Sequence, residues 1–206
     1  MSESHVPFLD SAAATRKFHT NQRSNGADTV EQYVQVEGEP YLPCYTIPVT
    51  TAISTATANS HLLEIMAGAS LRVGLRRLRV TQLVNGTTQQ NQWEILRLSS
   101  AGTGGTALTP SPHDPADSAS GATAMTLPSS KGTEGVAVWD GVVLTHATVA
   151  TVGLNPILDL DWTRERGKAL WIAAGAANGL CLKNITASAT TTVIITAEIV
   201  ESAEGA

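Results

Sequence analysis

The sequence predicts an all-β protein: an antiparallel β-sandwich, of the jelly-roll type, that carries an extended N-terminal arm. The first observation is composition, because 28 Ala and 26 Thr make up about a quarter of the 206 residues while aromatic residues make up 4%. Small side chains make a thin core, which suits packed sheets better than stout helices. The second is periodicity, because β-branched residues alternate with polar ones between turn clusters from residue 30 onward. About nine or ten short strands in one domain favour a two-sheet jelly roll.

The N-terminal segment, residues 1–28, has mixed charge and few large apolar side chains, among them Phe8 and Phe18. Such a segment cannot build a core. Two interpretations stay open: a disordered tail, and an extended arm that becomes ordered along a neighbouring subunit. The second makes Phe8 and Phe18 candidate interface residues. Residues 29–206 are then a single β-sandwich domain.

In the first part of this domain, turn residues and changes of parity divide the predicted strands. Strands are predicted at 33–36, 46–57, 62–66, 71–80 and 93–98. The apolar positions change parity at Arg76-Arg77, which predicts a β-bulge or a bend between two strands. Asn85-Gly86 is the best hairpin turn of the chain, and it predicts that the preceding strand pairs with 93–98.

A long insertion, residues 99–131, separates these strands from the rest. It is rich in Ser, Thr, Gly, Ala and Pro, includes Gly104 and Gly105, and is predicted to be a long loop that makes an intersubunit or surface contact. After it, strands are predicted at 135–139, 142–152, 156–162, 169–174, 180–186 and 191–201. Helix signals are nearly absent, since no window of about a dozen residues keeps a 3.6-residue period.

The charge balance argues against a generally basic nucleic-acid-binding face, because the net charge is −5 and the sequence pI is about 5.5. No apolar stretch approaches the length of about 20 residues that a helix needs to span a bilayer, so no membrane partner is expected. The first residues lack the basic and apolar regions of a secretory signal, which predicts a protein made and used in a cytoplasm. Cys44 and Cys181 lie far apart without a CxxC, and we expect buried thiols rather than a zinc site or a disulfide framework.

Five arginines are concentrated in two neighbouring predicted strands, within a stretch from residue 40 to 113 whose acids are Glu64 and Glu94. They are Arg72, Arg76, Arg77, Arg79 and Arg97. A local positive face of this kind suits bidentate contacts with the carboxylates of a partner, which makes these residues interface candidates. The alternative is that the long arginine side chains cover a sheet face and pair internally with Glu64 and Glu94.

The sequence shows no motif for catalysis or cofactor binding. The glycine-rich run at 102–105 lacks the Gly-Lys-Ser/Thr ending or the following helix of a nucleotide loop, and the five histidines show no metal-binding spacing. Asp159 and Asp161 share one face of a predicted strand, which is the minimum for acid/base chemistry, but pairing with arginine is the simpler interpretation. No cofactor, no metal and no enzymatic activity are therefore expected.

Four runs give the chain a resemblance to a known class of proteins. They are LRRLRVTQ (75–82), WEILRLSS (93–100), GGTALTP (104–110) and DPAD (114–117). With the Ala-, Thr- and Gly-rich strands around them, these runs resemble the β-rich virion proteins of tailed bacteriophages. The resemblance implies a jelly-roll decoration or cement protein of the outer capsid, typically a trimer. Head-fibre, collar and tail components share the same features.

The leading expectation is a non-enzymatic structural protein of a phage particle, located in the virion and assembled in the host cytoplasm. Its expected partners are the major capsid protein and other copies of itself, as a trimer; nucleic acid is not expected. Two alternatives stay open. One is a receptor- or carbohydrate-binding β-sandwich of a head fibre, collar or tail component, which would use exposed tryptophans. The other is a hydrolase or lyase with Asp159, Asp161 and His146 as its polar groups.

Overall fold

The structure, a computed structural model, describes residues 7–9, 15–17, 19–20, 34–35, 42–84, 88–145, 156–188 and 190–203. The chain divides into two compact units, residues 1–41 and 42–206. In the first unit, two pairs of antiparallel strands are described: β1 (Pro7–Leu9) with β2 (Thr15–Lys17), and β3 (His19–Thr20) with β4 (Val34–Gln35). The sequence-based boundary at residue 28 falls inside this unit.

The second unit consists almost entirely of strands. In chain order, its described elements are β5 (Cys44–Pro48), β6 (Ile53–Ser54), β7 (Ser60–Met66), β8 (Arg72–Val84), β9 (Gln89–Leu98), β10 (Thr106–Leu108), β11 (Ser111–Pro112), β12 (Thr123–Thr126), β13 (Glu134–Thr145), β14 (Pro156–Asp161), α1 (Trp162–Arg166), β15 (Leu170–Ile172), β16 (Gly179–Asn184) and β17 (Thr192–Ser202). Helix α1 is capped by Asp161 at its start and ends at Gly167, whose φ of 71° is left-handed. No helix in the described part of the chain is long and apolar enough to cross a membrane.

The described strands of this unit form two antiparallel sheets that pack together. Sheet I has the order β11-β5-β17-β8-β14, with β6 also paired to β17 and β15 to β8, and sheet II has the order β10-β12-β7-β16-β9-β13. The principal strands follow the chain in the order β5, β7, β8, β9, β13, β14, β16, β17. They alternate between the sheets at every step except β9 to β13, which is the connectivity of a jelly roll. The predicted antiparallel β-sandwich of the jelly-roll type is therefore confirmed.

The core lies between the two sheets and takes alternate residues from their strands. Trp93 is the largest fully buried side chain among the described residues, and the other members are mainly Leu, Ile and Val. Nε1 of Trp93 donates to Oδ1 of Asn184 at 3.1 Å, and Nδ2 of Asn184 donates to the carbonyl oxygens of Thr55 and Thr57. The buried polar atoms of this indole and this amide thus have partners, as a closely packed interior requires.

The parity change at Arg76-Arg77 is a β-bulge, as one of the two sequence interpretations predicts. On β17, Glu198 lies opposite Arg77, and the next residue lies opposite Leu75, so Arg76 is the extra residue. Leu75 and Leu78 are both 2% exposed although they are three positions apart. The bulge allows this because it turns both side chains towards the core.

The hairpin predicted at Asn85-Gly86 is wrong. Strand β8 lies in sheet I between β17 and β14, whereas β9 lies in sheet II between β16 and β13. Turn residues indicate that the chain reverses, but the partner of a strand depends on where its apolar face is buried. In a jelly roll this sends successive strands to opposite sheets. Residues 85–87 lie outside the described residues.

The extents of several strands also differ from the prediction. The strand predicted at 46–57 is two strands, β5 and β6, and the strands predicted at 135–139 and 142–152 form one strand, β13, as far as residue 145. Register shifts lie in β13 between Glu134 and Trp139. A bulge interrupts the alternation of side chains, so one bulged strand resembles two strands in sequence. Residues 146–155 lie outside the described residues.

The insertion at 99–131 contains three short strands. Strands β10 and β12 pair with each other and β12 pairs with β7, which extends sheet II, while β11 pairs with β5, which extends sheet I. The backbone of Thr103 also bridges to Ser130. The insertion therefore adds to the edges of both sheets.

Candidate functional site

Four of the five candidate arginines lie on β8, and two of them bind one carboxylate on β14. Arg77 donates from Nε and Nη2 to the two oxygens of Asp159 at 2.8 and 2.6 Å, and Arg79 donates from Nη2 at 3.1 Å. The hydrogen bond to Asp159 raises the pKa of Arg77. The hydrogen bond from Arg77 lowers the pKa of Asp159, and Arg79 adds to the effect. One carboxylate thus offsets part of the positive charge of these two arginines from within the sheet.

The internal partner of these two arginines is Asp159, whereas the sequence alternative named Glu64 and Glu94. The sequence did not point to Asp159 as the partner because it lies 82 residues from Arg77 along the chain. Asp161 lies opposite Arg77 in the register but caps α1, accepting from the N–H of Arg164 at 2.9 Å. The hydrogen bond from this N–H is the main reason that the pKa of Asp161 is lowered.

The fifth arginine, Arg97, lies on β9 in sheet II and is separate from the face of β8. It shares the inward parity of Trp93, and its Nη1 donates to the carbonyl oxygen of Trp171 on β15. Burial lowers the pKa of Arg97. The guanidinium of Arg72 stacks on the ring of Trp171, 4.1 Å from its centroid. Arg72 and Arg97 therefore meet at one tryptophan, although they come from different sheets.

Arg76, the extra residue of the bulge, is exposed and donates from Nη1 to Sγ of Cys44 at 3.4 Å. The five arginines are thus divided among three local environments and do not form one face. Their role at an interface stays a prediction.

Gly104 and Gly105 lie where the insertion begins its first strand, β10. Gly104 has a φ of 73°, and a Cβ there would collide with Oγ of Ser129. A Cβ at Gly105 would collide with the carbonyl oxygen of Thr126 on β12. Both glycines allow the two sides of the insertion to approach closely.

A buried carboxylate on sheet II, Glu64, holds both ends of the insertion. Glu64 is 1% exposed. Its Oε2 accepts from the N–H of Gly102 at 2.7 Å, and its Oε1 accepts from the N–H of Gly132 at 3.0 Å. His61 donates from Nδ1 to the same Oε1 at 2.6 Å. A register shift between β7 and β16 at this point brings His61 and Glu64 to one face although they are three residues apart.

The imidazole of His61 also contacts a second carboxylate, Glu134 at the start of β13. Its Nε2 lies 3.1 Å from Oε1 of Glu134. The same Oε1 accepts a hydrogen bond from Nζ of Lys131 at 2.9 Å, and Oε2 of Glu134 accepts one from Nζ of Lys183 at 2.7 Å. Burial raises the pKa of Glu134, but the hydrogen bonds from Lys183, Lys131 and His61 outweigh it and hold the pKa at about 2. We call Glu64, His61, Glu134, Lys131 and Lys183 the sheet II polar cluster.

Cys181 lies directly opposite Glu64 on β16 and belongs to a small apolar cluster with Met66, Leu96 and Leu98. Burial, and then the nearby charge of Glu64, raise the pKa of the Cys181 thiol to about 12. The thiol is therefore protonated at neutral pH, and a protonated buried thiol is a poor nucleophile. Cys181 is the buried residue that the sequence predicts, whereas Cys44 is half-buried.

A second buried carboxylate, Glu201 on β17, holds the middle of the insertion to sheet I. Glu201 is 2% exposed. It accepts from Oγ of Ser120 at 2.7 Å and from the N–H groups of Gly121 and Ala122 at 3.2 and 2.8 Å. The sequence analysis missed this role for Glu64 and Glu201. The signal for Glu64 was an acidic residue within the apolar run Leu-Leu-Glu-Ile-Met at 62–66.

Exposed apolar side chains are concentrated on β13, the last strand of sheet II. Val136, Val142 and Leu144 are 73%, 65% and 46% exposed. Single exposed apolar residues are common, but these three lie on one strand at the end of sheet II. The sequence analysis did not select these residues, because alternation alone does not show which strand lies at an edge.

The other residues that the sequence analysis singled out lie in different environments or outside the described residues. Phe8 lies on β1 with its backbone opposite Arg16, while Phe18 and His146 lie outside the described residues. Trp93 and Trp162 are buried, and Trp139 and Trp171 are half-buried. In the described part of the chain, no three His, Cys, Asp or Glu side chains are grouped so that they could hold a metal ion.

Comparison with protein-family models, curated proteins and solved structures finds no match for this chain.

Proposed function

We propose that the chain is a structural component of a phage particle, a decoration or cement protein that stabilises capsomer junctions on the outer shell. Its partners in this role are the major capsid protein and other copies of itself, as a trimer. The observation that carries the proposal is the group of exposed apolar side chains on β13, the last strand of sheet II among the described residues. A sheet edge with exposed Val136, Val142 and Leu144 is a surface on which another chain can pack.

The architecture supports this choice. Double-sheet jelly rolls recur in viral capsid and lectin domains. The resemblance of the runs at 75–82, 93–100 and 104–110 to phage virion proteins favours the first of these two classes. In this proposal the protein is located in the virion after assembly in the host cytoplasm.

Three carboxylates also support a structural role. Glu64 and Glu201 bind backbone N–H groups of the insertion, and Asp159 binds two arginines. These groups are occupied by the chain's own donors, so they stabilise loops and strands. The proposal therefore includes neither a cofactor nor a catalytic step.

The test is the composition and stability of particles made with and without this chain. We expect electron microscopy to show density for it at capsomer junctions. Particles that lack it should release their contents at a lower temperature. Absence of the chain from purified particles would refute the proposal.

A further inference from the structure

His61 lies between two carboxylates of the sheet II polar cluster, and each of its ring nitrogens faces one of them. Nδ1 is 2.6 Å from Oε1 of Glu64, and Nε2 is 3.1 Å from Oε1 of Glu134. The side chain of His61 is fully buried, so it has no solvent contact that could replace either partner. An ionised carboxylate accepts hydrogen bonds and donates none. The two contacts therefore need two protons, one on Nε2 and one between Nδ1 and Glu64.

Through these contacts His61 joins β7 to both ends of the insertion. Glu64 also accepts from the backbone N–H groups of Gly102 and Gly132, and Glu134 is the residue at which β13 begins. We call Gly102 and Gly132, with the hydrogen bonds that hold them, the base of the insertion. It is the place where the chain leaves sheet II and returns to it.

We propose that the base of the insertion is pH-sensitive: it is held while both protons are present at His61 and loosens when one of them is lost. A neutral imidazole has a single N–H, so it can donate to Glu64 or to Glu134 but not to both. Its other nitrogen then presents a lone pair to a carboxylate oxygen at hydrogen-bond distance. A buried acceptor left without a donor is costly, so one of the two contacts must open.

The contact that opens is the one to Glu134. Its carboxylate is 29% exposed and keeps the hydrogen bonds from Lys131 and Lys183, whereas the side chain of Glu64 is 2% exposed. Gly132 lies two residues before Glu134 and is bonded to Glu64, which then faces a neutral N–H in place of a charged one. The hold on Gly132 is therefore weakened from both sides.

The described titratable groups around His61 and Glu64 come from every element that packs there. They are Glu64 on β7, Glu134 on β13, Lys131 in the insertion, Lys183 and Cys181 on β16 and, opposite Lys183, Glu94 on β9. The pKa of Glu134 is about 2 and that of Cys181 is about 12, so these two groups keep one charge state between about pH 5 and about pH 9. Histidine changes its charge within this range. The base is thus held on the acidic side of the range and loosens as the pH rises.

The other anchor of the insertion supplies an internal reference. Glu201 binds the backbone N–H groups of Gly121 and Ala122 and the hydroxyl of Ser120, so its donors in the described part of the chain include no histidine. Protection at Ala122 should therefore not follow the protonation of His61. This inference goes beyond the proposed function, because it concerns the isolated chain and requires no particle.

The first experiment measures amide hydrogen exchange by NMR at about pH 5.5 and about pH 9, with each rate divided by the intrinsic rate at the same pH. In wild type, protection of Gly132 relative to Ala122 should fall about tenfold or more, the equivalent of one hydrogen bond to a charged group. His61→Gln should abolish this fall, because glutamine does not titrate. His113→Gln is the control, since His113 is exposed and its Nε2 contacts Oγ1 of Thr46; it should behave like wild type. A constant ratio in wild type, or a fall that persists in H61Q, would overturn the proposal.

The second experiment counts the protons on the ring and needs no variant, so it decides the question even if H61Q does not fold. Two-bond ¹H–¹⁵N spectra of histidine-labelled wild type distinguish protonated from bare ring nitrogens. We expect both nitrogens of His61 to be protonated at the lower pH and one at the higher pH. A His61 ring with the same number of protons at both ends of the range would refute the proposal.

Discussion

Replacing Glu64 by glutamine tests whether a buried carboxylate holds the insertion on sheet II. The change keeps the size and shape of the side chain but removes its charge and turns one acceptor oxygen into an NH₂ donor. Glu64 accepts hydrogen bonds from Gly102, Gly132 and His61. With glutamine, one of these donors faces another donor in a site that is 1% exposed.

The expected cost follows from these three contacts. A hydrogen bond to a charged group contributes about 1.5–3 kcal/mol, and a buried donor left without a partner costs about 1–3 kcal/mol. Glutamine weakens these hydrogen bonds and leaves one buried donor without a partner, so we expect a loss of about 3–5 kcal/mol in the free energy of unfolding. For a chain of this length, each kcal/mol lowers the melting temperature by about 2–4 °C, which gives a decrease of about 6–20 °C.

The assay combines urea unfolding with amide hydrogen exchange. In E64Q, the N–H groups of Gly102 and Gly132 should exchange faster than in wild type, because their acceptor is changed. Glu94→Gln is the control, since Glu94 is half-buried on the neighbouring strand β9 and its replacement should cost less than about 1 kcal/mol. If the unfolding free energy of E64Q is within about 1 kcal/mol of the wild-type value, and exchange at the two glycines is unchanged, the hydrogen bonds to Glu64 are not what holds the insertion.

Three further predictions concern the other sites. The pKa of Glu134 is held at about 2 against an ordinary value of 4.5, so the stabilisation by its carboxylate is complete above pH 4.5 and is lost as the pH falls towards 2. E134Q should therefore lose less unfolding free energy between pH 6 and pH 3 than wild type does. An equal loss in the two proteins would contradict this. Asp159→Asn releases Arg77 and Arg79, but because the pair is about one-third exposed the expected loss in urea unfolding is about 1 kcal/mol or less; a loss above about 2 kcal/mol would show that the pair contributes more than a surface bridge. Gly104→Ala should lower the unfolding free energy by about 1–2 kcal/mol, since φ is 73° and Ser129 occupies the space of the methyl group; an unchanged melting curve would show that the turn adapts.

Local properties of the strands were predictable from the sequence. Alternation of β-branched and polar residues predicts strands, and their number and the scarcity of large side chains favour a thin sandwich. The parity change at Arg76-Arg77 even locates the bulge of β8. These features are readable because side chains of a strand point to opposite faces with a period of two, so a break in the period marks a break in the strand.

The partners of strands and charges were not predictable in this way. Asn85-Gly86 predicts a reversal, but β8 and β9 lie in different sheets. The five arginines are close in sequence, yet Arg77 binds Asp159 while Arg97 contacts Trp171. These two pairings join residues that are 82 and 74 positions apart, and no local pattern specifies which of many such pairs forms.

The amino-acid pattern alone was sufficient for the all-β class and for the position of the irregularity at Arg76-Arg77, because each depends on neighbours along the chain. The sheet that each strand joins, the exposure of β13 at an edge and the carboxylates that hold the insertion depend on folding. They follow from burying the apolar faces of all strands at once, and Glu64 and Glu201 are then placed where the backbone N–H groups of the insertion need acceptors.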